Sequence, residues 1–190
     1  MTRLPFTLSF LLAGLAAATG VLANALDGVL EVKSAYVNVD HGVFKLHARV
    51  QYPENDDIRT ALADGVTLMF DVEAVIARER RFWFDADVVS VTLRREQTYH
   101  TVSNRYVVRD DSPGAGQDSF ATLHEALESI GAVDDWPVLV EPQISADARY
   151  RVSVRASVRR GRLPDTLRVL MFWTDSWHRA SEWYSWSLPV

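Results

Sequence analysis

Residues Arg149 to Val158 read Arg-Tyr-Arg-Val-Ser-Val-Arg-Ala-Ser-Val, and no other stretch restricts the possible folds as tightly. In an extended chain successive side chains point to opposite faces. Tyr150, Val152, Val154, Ala156 and Val158 therefore share one side, and Arg149, Arg151, Ser153, Arg155 and Ser157 the other. This is the pattern of a half-buried β-strand with one apolar and one cationic face. A one-residue slip in its pairing would drive three guanidinium groups into the core, so its register is firmly set. The same two-residue rhythm recurs along most of the chain and predicts a mainly β protein.

In chain order, Val29–Val39 and Val43–Tyr52 form a predicted hairpin around Asp40-His41-Gly42, with Gly42 free to take the positive φ of a short loop. Pro53 ends the second strand. Asn55 or Asp56 then caps a short helix through about Ala63, with Gly65 where helix ends prefer glycine. Val66–Ala77 is again a strand, with Leu68, Phe70, Val72, Ala74 and Ile76 facing opposite to Asp71 and Glu73. Arg78 to Arg81, interrupted by Glu79, reads as an exposed bend. Val88–Leu93 and Thr98–Val108 read as two further strands, and Asp110–Ser119 as an acidic loop. Asp118 or Ser119 is expected to cap a second helix over Phe120–Ile130, with Gly131 just past its end. Trp136–Ile144, broken by Pro137 and Pro142, suits an edge strand. Leu167–Trp173 and Glu182–Leu188 would close the domain as an aromatic-rich hairpin. The expected architecture is a two-layer antiparallel β-sandwich with one or two short helices, in a single domain over residues 26–190. The alternative is α+β, a curved antiparallel sheet with the helices on one face.

The N-terminus suggests where the chain works. Arg3 precedes an uncharged run from Leu8 to Val21, and Ala23-Asn24-Ala25 supplies the small-x-small pattern of a cleavage site, which reads as a signal peptide over residues 1–25. The expectation is a periplasmic protein with no transmembrane segment after cleavage. The rival is an uncleaved inner-membrane anchor over Pro5–Leu26. The chain has 190 residues, no cysteine and a formal net charge of −5. Disulfides and thiolate chemistry are excluded, and the acidic balance argues against nucleic acid as a partner.

Four sets of residues resemble an exported proteobacterial family, the domain-of-unknown-function family 4390. They are Ala61-Leu62 with Gly65-Val66-x-Leu68; Tyr99-His100-x-x-Ser103-x-x-Tyr106-x-Val108; Phe120-x-x-Leu123-x-x-Ala126-Leu127; and Leu163-Pro164-x-x-Leu167-Arg168. The likeness runs over residues 27 to 187. It implies an exported envelope protein and carries over no catalytic residue.

Several constellations bear on chemistry. His124-Glu125-Ala126-Leu127-Glu128 opens like a zinc-protease helix but offers Glu128 where the second His belongs, so it reads first as an exposed helix face. Asp110, Asp111 and Asp118 match no calcium-loop spacing. Neither a Gly-x-Ser-x-Gly elbow nor a phosphate-binding glycine loop is present, so no catalytic residue, metal site or cofactor is expected. The candidate binding residues are Arg149, Arg151 and Arg155, whose forked donors suit an acidic surface, and Trp173, Trp177 and Trp183 of an aromatic group that includes Trp186. For the arginines the competing reading is a solvated face paired with acids such as Asp71 and Glu73. For the tryptophans it is core packing. The leading expectation is a non-enzymatic envelope module that binds another envelope protein. A Trp-lined small-ligand pocket and a metal-assisted hydrolase around His124 are the alternatives.

Overall fold

The period-2 pattern becomes two antiparallel sheets. A computed structural model describes residues 26–80, 86–111, 114, 116–140, 144–145, 147–161 and 177–188. The predicted leader, Trp173 and the first half of the predicted closing hairpin lie outside these residues. The three-stranded sheet takes β1 (Glu31–Asp40), β2 (Val43–Gln51) and β7 (Ala132–Val140) in the order β1-β2-β7. The larger sheet takes β3 (Leu68–Arg78), β4 (Ala86–His100), β5 (Arg105–Asp110), β6 (Gln117–Phe120), β8 (Tyr150–Arg160), β9 (His178–Ala180) and β10 (Tyr184–Leu188). Its order is β10-β8-β3-β4-β5-β6, with β9 also on β8.

β8 has the predicted alternation: Tyr150, Val152, Val154, Ala156 and Val158 are buried, and Arg151, Arg155 and Arg159 face out. It pairs without a break to β3, from Leu68 opposite Arg160 to Arg78 opposite Tyr150. The inner faces of β3 and β8 meet Phe44, Leu46, Ala48 and Val50 of β2, with Val133 and Leu139 of β7, in one core cluster. Each fully buried Val, Leu or Ile there contributes roughly 1.5–3 kcal/mol. The result is the mainly β, sandwich-like fold with two helices.

Helix α1 (Asp56–Ala63) begins at the predicted cap, where the Asn55 side chain accepts from the Ile58 amide at 2.8 Å. Helix α2 (Leu123–Gly131) packs against strands of both sheets and so closes one end of the sandwich. Its cap is Thr122, in a capping box with Glu125, rather than Asp118 or Ser119. Those residues belong to β6, which shortens the predicted acidic loop. Gly131 is the last helical residue, not the one beyond it. A Cβ there would lie 2.1 Å from the Val50 carbonyl oxygen, so only glycine lets α2 approach β2.

Three further expectations change. The two strands predicted between Val88 and Val108 are redistributed: β4 runs unbroken to His100 and turns at Thr101–Asn104 into β5. β9, a strand the pattern does not predict, pairs with β8, as does β10 within the predicted Glu182–Leu188, whose expected hairpin partner Leu167–Trp173 lies outside the described residues. β7 starts at Ala132, and its Pro137 is tolerated because among the described residues β7 is an edge strand, hydrogen-bonded only to β2. At the start of the domain Leu26 is fully buried, and its carbonyl accepts from Arg179 Nη1 at 2.7 Å.

Candidate functional site: an arginine-bearing sheet face

β4 shows how this sheet separates its arginines. Arg94 and Arg95 are consecutive and so point to opposite faces. Arg95 turns inward, where its Nη1 donates to the carbonyls of Ser129, Ile130 and Ala132 at 3.1, 2.8 and 2.8 Å. The last turn of α2 contains no basic residue, and Arg95 supplies the missing charge from a neighbouring strand. Arg94 turns outward and makes a two-pronged contact with Asp71 at 2.7 and 3.2 Å.

The outer face thus carries Arg94, Arg109, Arg151, Arg155 and Arg159 against Asp71, Glu73 and Glu96, as the cross-strand registers require. Arg155 donates to Glu73 at 2.8 Å and lies over the Trp183 ring, 4.4 Å from its centroid. Arg151 reaches one oxygen of Glu79 through Nε at 3.2 Å and Nη2 at 2.9 Å. Arg159 stands 3.5 Å from Asp71. Glu73 is an acid partner named by the sequence; Asp71 serves β4 and β8 together.

Arg149 differs from these. It is exposed, and its side chain has no hydrogen-bond or ion-pair partner among the described residues. Its carbonyl accepts from the Glu79 amide at 2.9 Å, which carries the β3–β8 ladder one step past Arg78. At that end a cleft of about 590 Å³ opens, lined by Arg78, Glu79, Arg80, Asp147, Arg149 and Arg151. The stretch predicted as an exposed bend is therefore one wall of a cationic recess. Arg78, like Arg149, is exposed and has no side-chain partner among the described residues.

A family model described as "Domain of unknown function (DUF4390)" matches residues 28–187. The chain belongs to the DUF4390 family. No curated protein and no solved structure matches it. Of the motifs that carried the resemblance, Ala61, Leu62, Val66, Leu68, Leu123, Ala126 and Leu127 are all core residues in this DUF4390 chain. The family signature here is thus chiefly a packing signature.

The tryptophans separate. Trp177 is buried, Trp186 packs partly buried against the core, and Trp183 is exposed on the loop before β10. Trp183, with Val29 and Tyr184, lines a groove of about 540 Å³ that neither Trp177 nor Trp186 borders. His124 has acquired a partner that the sequence did not indicate. Glu54 lies 3.0 Å from its Nδ1, while Glu128 lies 3.5 Å from its Nε2. The carboxylates thus flank opposite ring nitrogens, a geometry for ion pairing that does not bring three ligands to one point. Glu54 and then Glu128 raise the His124 pKa above the usual histidine value. Among the described residues no group of three His, Asp or Glu is placed to hold a metal. Asp110 is drawn to Arg95 at 3.3 Å while Asp118 lies exposed on β6.

Proposed function

We propose that this protein is an exported, non-enzymatic module of the bacterial cell envelope that docks an acidic region of another envelope protein on the outer face of its larger sheet. One observation carries the reading: a chain of net charge −5 gathers arginines on a single sheet face. Eighteen of its twenty basic residues are arginine, the side chain whose fork pairs best with carboxylates. Arg3, the uncharged run Leu8–Val21 and Ala23-Asn24-Ala25 support export. Among the described residues no helix is long and apolar enough to cross a membrane.

The test is photo-crosslinking in cells from Ser153 and Ser157, two outward positions between the arginines, followed by identification of the adduct. A specific envelope protein, lost when Arg149, Arg151 and Arg155 are all changed to Gln in a folded variant, is the expected outcome. The same adduct at undiminished yield from that variant overturns the docking face. N-terminal sequencing of fractionated protein tests export separately: Leu26 is the expected first residue, and intact Met1 in the membrane fraction replaces the signal with an anchor.

A further inference from the structure

We infer that the cleft where β3 and β8 end is a binding site for an extended acidic peptide segment, with Arg78 and Arg149 taking its carboxylates. The inference rests on the docking reading above and names the chemistry of what docks.

Arg78 and Arg149 stand on neighbouring strands, since Arg78 pairs with Tyr150 and Arg149 is the next residue along. Both are exposed and, among the described residues, neither meets an acid. By register Arg78 shares the side of Tyr150 while Arg149 alternates to the other, so the two reach the cleft at the strand ends from different sides, and an anion held in it is attracted to both. Arg151 forms a fixed wall. Glu79 occupies its Nε and Nη2 and leaves Nη1 unused in that pair. The loop that delivers Arg149 is also held, because the Ser145 amide donates to the hydroxyl of buried Tyr150 at 2.9 Å. The Ala148 amide closes a turn onto the Ser145 carbonyl at 3.1 Å. The backbone that carries Arg149 and the fork of Arg151 are therefore held before a ligand arrives, which lowers that part of the ordering cost of binding.

The spacing selects the ligand. Arg149 and Arg151, whose Nη1 lies outside the Glu79 pair, are two residues apart along the extended chain, roughly 6.5 Å, and carboxylates at alternate positions of an extended peptide repeat at the same interval, so a carboxylate on Arg149 brings the next within reach of Arg151. A recess of about 590 Å³ falls in the range that encloses a small ligand. Being concave, it suits a protruding chain better than a flat bilayer.

The test uses the purified protein at low ionic strength and a fluorescent six-residue peptide of alternating aspartate and glycine, followed by anisotropy. The proposal expects saturable binding, at least tenfold weaker for the asparagine version of the peptide. It also expects at least a tenfold loss in the Arg78→Gln/Arg149→Gln double variant, with an unchanged melting temperature. Glu79→Gln, which frees Arg151, should tighten binding. Arg49→Gln, on the smaller sheet, should leave it unchanged. Equal binding by the double variant, or an equal loss in Arg49→Gln, reduces the effect to general charge and overturns the site. Tighter binding of inorganic phosphate or of phosphatidylglycerol vesicles, with the same dependence on Arg78 and Arg149, overturns the peptide assignment. Should the peptide fail while the in-cell crosslink from Ser153 persists, this cleft is wrong and the docking face stands. Loss of both removes the wider reading.

Discussion

The inner and outer faces of the seven-stranded sheet use one side chain in two ways. Inside, Arg95 is mostly buried and serves three carbonyls at the end of a helix, so it is part of the fold's internal bonding. Outside, Arg151 and Arg155 meet single acids with their own side chains 50% and 38% exposed, and Arg149 meets none among the described residues. Water can replace the outer contacts and cannot readily replace the inner ones. The comparison teaches that in this sheet arginine count is uninformative and arginine direction decides. Structure is carried inward, and capacity for a partner is left outward.

The sharpest way to break the comparison is to place a charge where the inner face has none. Val154→Asp should unfold the domain, because an unpaired carboxylate beside Ala74 and Tyr184 costs on the order of 5 kcal/mol, comparable with the whole stability of a small domain. Loss of the cooperative thermal transition is the expected result. Gly131→Ala probes the floor beneath the same face. Overlap with the Val50 carbonyl should cost about 3 kcal/mol, read as a lower denaturant midpoint. Arg95→Met removes the charge but keeps much of the length, leaves the α2 carbonyls unserved, and should cost about 2–3 kcal/mol. On the outer face Asp71→Asn should cost only about 1 kcal/mol despite its two arginine neighbours. The Arg149, Arg151 and Arg155 to Gln variant should lose at most about 1 kcal/mol per ion pair it gives up. A triple variant destabilised by more than Arg95→Met would erase the distinction between the faces.

The smallest expected effect belongs to His124. Its pKa is raised in the folded protein by Glu54 and Glu128, so its contribution to stability is complete below the unfolded histidine pKa and lost as pH rises through the folded one. Comparing wild type with His124→Gln across that interval should show a difference that shrinks as pH increases. A constant difference would assign the contact to packing instead of charge.

Most of the fold was legible because it is written in local periodicity. β8, β3, the hairpin at His41-Gly42, where both residues have positive φ, and the Asn55 cap all follow from spacing and turn chemistry. β4 was misread as two strands because Arg94-Arg95-Glu96 interrupts its apolar rhythm. Only the distant carbonyls of α2 explain an arginine turned inward. Thr122-x-x-Glu125 carries the spacing of a capping box, and Asp118 and Ser119 upstream offer competing cap side chains that β6 claims instead. The arginine face was readable residue by residue. Its division into engaged and unengaged members was not, since Glu79, Glu73 and Trp183 reach it from other strands and loops. The recess itself needed two distant segments, 78–80 and 147–151, to meet.

The burial of Leu26 sets an order of events. Its carbonyl is clasped by Arg179, a residue 153 positions later in the chain. Until that last stretch has emerged and paired with β8, nothing from β9 can hold the start of the domain in place. Under the export proposed above, a peptidase acting after Ala25 would need Leu26 extended and accessible, which it would be only before the clasp forms. Translocation would deliver the N-terminus first and Arg179 almost last, so the interval open to processing would last nearly as long as delivery of the chain itself. Closure of the C-terminal strands would then end it.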